Sequence, residues 1–261
     1  LIPEVSAFAA RPRSNAEVEA WLDERLGPTP KPGVWWALRQ YGPFVHAPTG
    51  GPWSFGPRPA YVAAPDAEVR APEEASPALR LLVRRYLEGF GPASIADIAQ
   101  FGLVSRSLVR DALAGLGGDL TTFEGPDGTT LHDVPDAPFP PEDVPVPPRL
   151  LAMWDSILLA YADRSRVVPP AYRRAIARSN GDTLPSVLVD GHVAGVWRPL
   201  DDGIEVTAFE RLPDEAWAGL QNEARALVAF LGPRDPAVYR RYARWWGSLP
   251  AAEVRIVGRA G

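Results

Sequence analysis

The side chains with the most pronounced chemistry in this chain are arginines, and they come in groups. Arg80, Arg84, Arg85, Arg106 and Arg110 fall in a stretch whose only acids are Glu88 and Asp97, and Arg164, Arg166, Arg173, Arg174 and Arg178 follow one another with no acid between them. Guanidinium groups grouped in this way suit a polyanion, because phosphate oxygens accept their N–H donors and each neutralised phosphate releases a counter-ion. The chain as a whole is acidic, with 27 Lys and Arg against 32 Asp and Glu. A nucleic-acid contact must therefore be a local patch and not a property of the whole surface. The acids gather elsewhere, at Asp133, Asp136, Glu142 and Asp143.

Other chemistries find little support. Cysteine is absent, and the histidines His46, His132 and His192 stand too far apart for a zinc-ligand pattern, so they read as structural. The pairs Trp35-Trp36 and Trp245-Trp246 could stack on bases, but one of each reads as core and the other as a lid over it. There is no Gly-rich phosphate loop, no Gly-x-Ser-x-Gly elbow and no His-Glu-x-x-His motif. No metal and no cofactor are expected. No apolar run approaches the ~18 to 20 residues that span a bilayer, and Leu1-Ile2-Pro3-Glu4 does not start a signal peptide. The expectation is a monomer in the cytoplasm, at the nucleoid. Leu1 in place of Met, with Met153 the sole methionine, reads as a piece of a longer protein.

The elements that must carry the arginines follow from periodicity and punctuation. Ser14-Asn15-Ala16-Glu17 has the form of a capping box and opens a helix with Val18, Trp21, Leu22 and Leu26 on one face, stopped by Gly27-Pro28. A second helix spans Gly33 to Tyr41, with Val34, Leu38 and Tyr41 on one side. Strands at Phe44 to His46 and Trp53 to Phe55 flank the turn Thr49-Gly50-Gly51. After an acidic connector, Asp66 to Glu74, the same order returns. The helix Ala78 to Phe90 buries Leu81, Leu82, Tyr86 and Phe90; Ser94 caps Ile95 to Phe101, with Asp97 in its first turn; and Ser105 opens Arg106 to Leu116 after the tight connection Leu103-Val104. Leu120 to Phe123 and Thr129 to Leu131 then flank Gly125-Pro126-Asp127-Gly128, a hairpin signal.

Helices followed by a hairpin, twice, predict tandem winged helices over 1–65 and 76–134, a weak repeat of element order. Seven prolines between Pro135 and Pro148 mark a linker over 135–150. Beyond it, a strand at Ile157 to Ala160, a hairpin of Pro185 to Val189 with His192 to Trp197 across Asp190-Gly191, a strand Ile204 to Phe209, a helix Asp214 to Leu231 and a strand Val254 to Val257 predict a small antiparallel barrel-like domain over 151–261. The fold class is α+β.

With these elements placed, the wording of the chain resembles a known family. Arg84-Arg85-Tyr86-Leu87 through Phe90-Gly91-Pro92-Ala93 to Ile95-Ala96-Asp97, and Phe123 through Asp133-Val134-Pro135-Asp136-Ala137-Pro138, resemble the third winged helix of the AlkZ/YcaQ-like DNA glycosylases of actinobacterial type. Ser156-Ile157-Leu158-Leu159 to Ala162-Asp163-Arg164-Ser165-Arg166-Val167-Val168, and Val187-Leu188-Val189-Asp190-Gly191 to Val193-Ala194-Gly195-Val196-Trp197-Arg198, resemble its C-terminal barrel. The resemblance implies a concave surface for double-stranded DNA and a chain that starts at the second winged helix of the array. It also implies a Gln-x-Gln or Gln-x-Asp motif in an N-terminal winged helix for excising alkylated bases. The glutamines here are Gln40, Gln100 and Gln221, none in such a motif, so no catalytic residue carries over.

The expected DNA contacts are Arg106, Ser107 and Arg110 at the start of the recognition helix, where side chains reach groove or phosphate. A solvated arginine face is the alternative. Arg80, Arg84 and Arg85 either touch phosphates or salt-bridge on their own helix. Asp163-Arg164-Ser165-Arg166 clamps a phosphate, holds the barrel to the winged helices, or contains a plain Asp163–Arg166 ion pair, and Arg173, Arg174 and Arg178 read as solvent-facing phosphate ligands. The resulting expectation is a duplex-DNA-binding protein without catalysis in this chain. The alternatives are an active glycosylase whose catalytic unit lies outside it, a winged-helix scaffold for a protein partner, and, less favoured, a transcription factor.

Overall fold

The computed structural model describes residues 1–27, 33–49, 58–64, 75–179, 181–231 and 243–259. The strand expected at Trp53 to Phe55, the Gly50-Gly51 turn and the Asp66 to Glu74 connector lie outside them. The chain is a mixed α+β protein with antiparallel sheets, and it divides into two compact units, Leu1–Glu74 and Ala75–Gly261.

In the first unit the order is α1 (Ile2–Phe8), β1 (Arg13–Ser14), α2 (Asn15–Leu26), α3 (Val34–Tyr41), β2 (Phe44–Ala47) and β3 (Ala60–Ala63). Ser14 and Glu17 form the capping box their spacing predicts: the Ser14 hydroxyl accepts from Glu17 N–H, and Glu17 Oε2 accepts from Ser14 N–H at 2.8 Å. The strands form one antiparallel sheet in the order β1-β3-β2, with Arg13 opposite Tyr61 and His46 opposite the same Tyr61. Trp35 sits at the centre of the core, edge-on to Phe44 and Tyr61, and its indole N–H donates to Asn15 Oδ1 at 2.8 Å. Its neighbour Trp36 is exposed and meets Tyr41, not the core. Two expectations are corrected here. Leu26 at the fraying end of α2, and Tyr41 in the last turn of α3, are exposed, because the core is closed by Trp35 and Tyr61 a turn or a strand away.

The second unit begins with α4 (Ala75–Phe90), α5 (Ile95–Gly102), α6 (Arg106–Leu116), β4 (Thr121–Glu124) and β5 (Thr130–Asp133). A single antiparallel bridge from Ala93 to His132 places the stretch between α4 and α5 beside β5. That stretch corresponds to β1 of the first unit, which pairs with β3 in the same way. Gly91 is required by close approach: a Cβ there would strike the buried Asp133 carboxylate and lie 2.7 Å from the Leu87 carbonyl. The core takes Val83, Tyr86 and Leu87 from α4, whereas Leu81 and Leu82 are exposed, contrary to expectation. The helix carries apolar residues on two faces, and contact with α5 and α6 selects the one through Val83.

Residues 135–148 form neither helix nor strand, and Phe139 rests on Phe123 of β4 with ring centroids 5.5 Å apart. Then come β6 (Arg149–Leu150), α7 (Ser156–Leu159), α8 (Arg173–Ile176), β7 (Ser186–Val189), β8 (His192–Leu200), β9 (Gly203–Ala208), α9 (Asp214–Leu231), α10 (Ala243–Trp246) and β10 (Glu253–Val257). The strand expected at Ile157 to Ala160 is instead the short helix α7, because Asp155 accepts from Ile157 N–H at 3.1 Å and caps it. Asp190 and Gly191, with φ of 49° and 75°, make the two-residue turn between β7 and β8. The sheet runs β10-β9-β8-β7-β6, antiparallel throughout. On one face α9 buries Trp217, Leu220 and Ala224 against Trp197, Ile204 and Val206; on the other, Leu158, Ile176 and Leu184 pack on Val193 and Val196. Fully buried side chains such as Leu220 each contribute roughly 1.5–3 kcal/mol. Residues 76–134 and 151–261 both belong to the second compact unit.

Candidate nucleic-acid interface

The helix pair α5–α6 is built by two caps and a tight turn. Ser94 and Asp97 form a capping box on α5. Leu103, with φ 51°, turns the chain, Val104 N–H closes on the Ala99 carbonyl at 3.1 Å, and the Ser105 hydroxyl accepts from Leu108 N–H to start α6. Val109, Ala112 and Leu113 anchor the buried side of α6. That fixes Arg106 and Arg110 on the outer side, one turn apart. Both are exposed, and neither makes an ion pair among the described residues. No carboxylate of the Pro-rich segment 135–148 pairs with them among the described residues, and Phe139 of that segment packs on Phe123. Ser107 is exposed too, but its hydroxyl lies 2.8 Å from that of Ser105 and belongs to the cap.

The arginines of α4 are differently placed. The aliphatic stem of Arg80 crosses α6 at Gly115, its Cδ 2.9 Å from where a Cβ would sit, so the side chain packs against the end of α6. Arg84 Nε and Arg85 Nη1 both bind Glu88, at 3.2 and 2.7 Å. The Arg85 hydrogen bond, joined by that of Arg84, holds the Glu88 carboxyl below its usual range. The salt-bridging alternative therefore describes Arg84 and Arg85 in the free protein.

The second basic group surrounds a 3-10 turn, Arg164–Arg166. Asp163 does not pair with Arg166. Its carboxylate accepts from Ser165 N–H at 2.9 Å and Ser165 Oγ–H at 2.8 Å, bonds that hold its pKa below the usual carboxylate range, helped by the charges of Arg173 and Arg166. Arg166 instead lies over the Tyr161 ring at 4.5 Å. Arg164 is half-buried, and burial together with the neighbouring Arg173 guanidinium disfavours its charged form. Arg173 and Arg174 at the start of α8 are exposed. Arg178 is exposed as well, with its guanidinium over the Trp245 ring at 4.1 Å. None of Arg164, Arg166, Arg173 and Arg174 makes an ion pair among the described residues.

One feature of the site has no sequence signature. The chain just before the basic turn is tied to the helical array by side-chain hydrogen bonds of long sequence separation. Tyr86 OH donates to the Ala160 carbonyl at 2.7 Å, Gln100 Nε2 to the carbonyls of Tyr161 and Leu159 at 3.1 and 3.3 Å, and Tyr161 OH to the Phe90 carbonyl at 3.0 Å. Asp97, read from sequence only as a helix-dipole residue, uses Oδ2 for the Ser94 cap and Oδ1 to accept from Ala162 N–H at 2.7 Å. Burial, and after it the Asp97 charge, raises the Tyr86 phenol well above its ordinary value.

The histidines take structural positions. His46 lies against the Tyr61 ring, His132 is half-buried in β5 with its basicity lowered by burial, and His192 Nδ1 lies 2.8 Å from the Asp190 carbonyl oxygen. No group of three or more His, Asp or Glu among the described residues could hold a metal ion, and no helix among them is long and apolar enough to cross a membrane.

Comparison with known proteins places this architecture. An interstrand DNA cross-link repair glycosylase of Streptomyces sahachiroi is 29% identical over 211 residues, which cover 75% of this chain and 54% of that protein. The chain thus spans about half the length of that curated relative. The solved structure of the Streptomyces sahachiroi DNA glycosylase AlkZ matches with a TM-score of 0.67 at 23% identity, over 89% of this chain and 66% of the other, a likeness of fold. The family described as DNA glycosylase AlkZ-like matches residues 5–230. The chain belongs to the AlkZ-like DNA glycosylase family.

Proposed function

We propose that this chain binds double-stranded DNA through α6, as the DNA-holding part of a repair glycosylase, and carries no base-excising group of its own. Residues 1–65 and 76–134 are read as winged helices, and residues 151–261 as the barrel-like domain that follows them. The observation that carries the reading is the outward pair Arg106 and Arg110, one helical turn apart, exposed and free of carboxylate partners among the described residues. They stand at the start of a helix that follows a tight turn from a shorter helix, the arrangement in which a recognition helix presents its first turns to a groove. Arg164, Arg166, Arg173 and Arg174 extend the positive field, Ser107 shapes the helix start, and Arg80 supports α6 from behind.

Binding is tested by fluorescence anisotropy with a short labelled duplex, intact or carrying the interstrand cross-link of the kind the relative's name implies. Log K should fall with log salt by about 0.9 per phosphate contacted. Replacing both residues, Arg106→Glu with Arg110→Glu, should lower the slope by about 1.8 and abolish tight binding at about 0.15 M salt. Wild-type protein that binds no duplex at low salt would overturn the reading and favour a scaffold for a protein partner. A second reading, full glycosylase activity, is favoured by the family and by the relative's name. It requires the excising unit outside this chain, and base release by this chain alone would refute the division of labour proposed here.

A further inference from the structure

We propose that Gln100 and Asp97 are positioning residues that lock the basic turn Asp163–Arg166 to α5, so that the turn grips a second stretch of DNA backbone in fixed register with α6. The inference rests on the DNA-binding reading above and adds a second foot to it. Three observations converge on it. The four-residue strap 159–162 accepts hydrogen bonds from Tyr86 and Gln100 and donates one, from Ala162 N–H, to Asp97, side chains 59 to 74 positions away in sequence. Ala160 and Tyr161 of the strap are buried, and each bond orders backbone that would otherwise sample many conformations. The strap runs without a break into Asp163–Arg166. It also supplies Tyr161, on whose ring Arg166 lies and whose hydroxyl returns to Phe90 at the end of α4.

The third observation is the state of the cations so positioned. Arg164 is half-buried beside Arg173 with no carboxylate within ion-pair distance among the described residues, while the preceding residue, Asp163, is engaged by Ser165. Desolvating a guanidinium next to another without an anion is unfavourable and is relieved by a phosphate oxygen that accepts from both. Because α5 is joined to α6 through the Leu103-Val104 turn, a rigid strap turns two weak phosphate contacts into one bivalent contact. The gain comes from effective concentration and not from any new bond.

The test is a double-mutant cycle on the full chain with a duplex long enough to reach both feet. Gln100→Met keeps the side-chain length and removes the donors; Arg164→Ala with Arg173→Ala removes the second foot. Gln100→Met should weaken binding several-fold at about 0.15 M salt and lower the salt slope by up to about 1.8, although it removes no charge. In the Arg164→Ala, Arg173→Ala background it should change neither by more than about twofold. Asp97→Asn, which keeps an acceptor for Ala162 N–H, should bind more tightly than Asp97→Ala. Independent, multiplying effects of the two sets, or an unchanged slope in Gln100→Met, would overturn the proposal while wild-type binding leaves the DNA reading intact. Absence of duplex binding by wild type would remove both.

Discussion

Glu88 offers a perturbation whose sign separates DNA binding by α4 from a purely structural role for its arginines. Its two carboxylate oxygens hold Arg84 at 3.2 Å and Arg85 at 2.7 Å, on a face where the Arg85 side chain is 72% exposed. Such pairs within one exposed helix contribute little to stability, so Glu88→Gln should leave the fold intact. It should, however, release two guanidiniums and remove one charge that repels phosphate. If α4 faces the DNA backbone, each freed arginine can displace one counter-ion, steepening the dependence of log K on log salt by about 0.9 per contact and about 1.8 in all. Over a fourfold change in salt, from about 50 to about 200 mM, that difference amounts to roughly tenfold: the variant should bind more tightly than wild type at low salt and lose about that factor of advantage across the range. Anisotropy titrations of a labelled duplex at several salt concentrations read both quantities. Parallel slopes, or weaker binding by the variant, would show that the α4 face points away from DNA and that Arg84 and Arg85 serve only Glu88.

Two further predictions concern the strap and its surroundings. The Tyr86 phenol is raised above its ordinary 10 by burial, so the folded state favours the protonated form; stability is fully present below about pH 10 and is lost as pH rises beyond it, where the unfolded chain ionises first. Tyr86→Phe should cost about 1 kcal/mol at neutral pH, through the lost bond to Ala160, and should flatten part of the alkaline decline in urea midpoints, to which Tyr161 and Tyr172 also contribute; an unchanged alkaline profile would refute the assignment. Gly91→Ala places a methyl group against the Asp133 carboxylate and the Leu87 carbonyl, and should destabilise the second unit by about 1–3 kcal/mol in denaturant unfolding. A loss below measurement would show that β5 can shift away.

The parts of the structure legible in the sequence are those fixed by neighbours along the chain. Ser14 and Ser94 declare their helices through an acid at the third position, Asp190-Gly191 declares its hairpin, and Arg84 and Arg85 stand at the spacing that finds Glu88. What was hidden needed tertiary information. In α4, the period that selects Leu82, Tyr86 and Phe90 also fits Leu79, Val83, Tyr86 and Phe90, and only the seating of α5 and α6 decides that Val83 is inside and Leu81 and Leu82 outside. The run Ser156-Ile157-Leu158-Leu159 is too short to have a period, and the cap from Asp155 makes it helix. The strap was beyond reach because Gln100 and Tyr86 meet main-chain carbonyls, which every residue possesses and no pattern marks.

The two helical arrays follow the same order of elements and the same cap, and they differ in what the cap and the third helix hold. A Ser-x-x-acid box uses one carboxylate oxygen for the serine and leaves the other available. In the first array Glu17 Oε1 faces Arg13 at 3.4 Å on an exposed surface; in the second, the buried Asp97 Oδ1 takes Ala162 N–H and fastens the segment that leads to Arg164. The third helices differ in the same sense. Arg39 of α3 is turned inward, its Nη1 3.0 Å from Tyr61 OH and 3.4 Å from Asn15 Oδ1, whereas Arg106 and Arg110 of α6 point outward without partners among the described residues. An arginine held by a core tyrosine is committed to folding, and one held by nothing is available to a phosphate. The outward arginines of α6 thus stand in the second array, where the Ser94–Asp97 cap also fastens the strap, whereas the corresponding Arg39 of the first array is held inward by Tyr61 and Asn15.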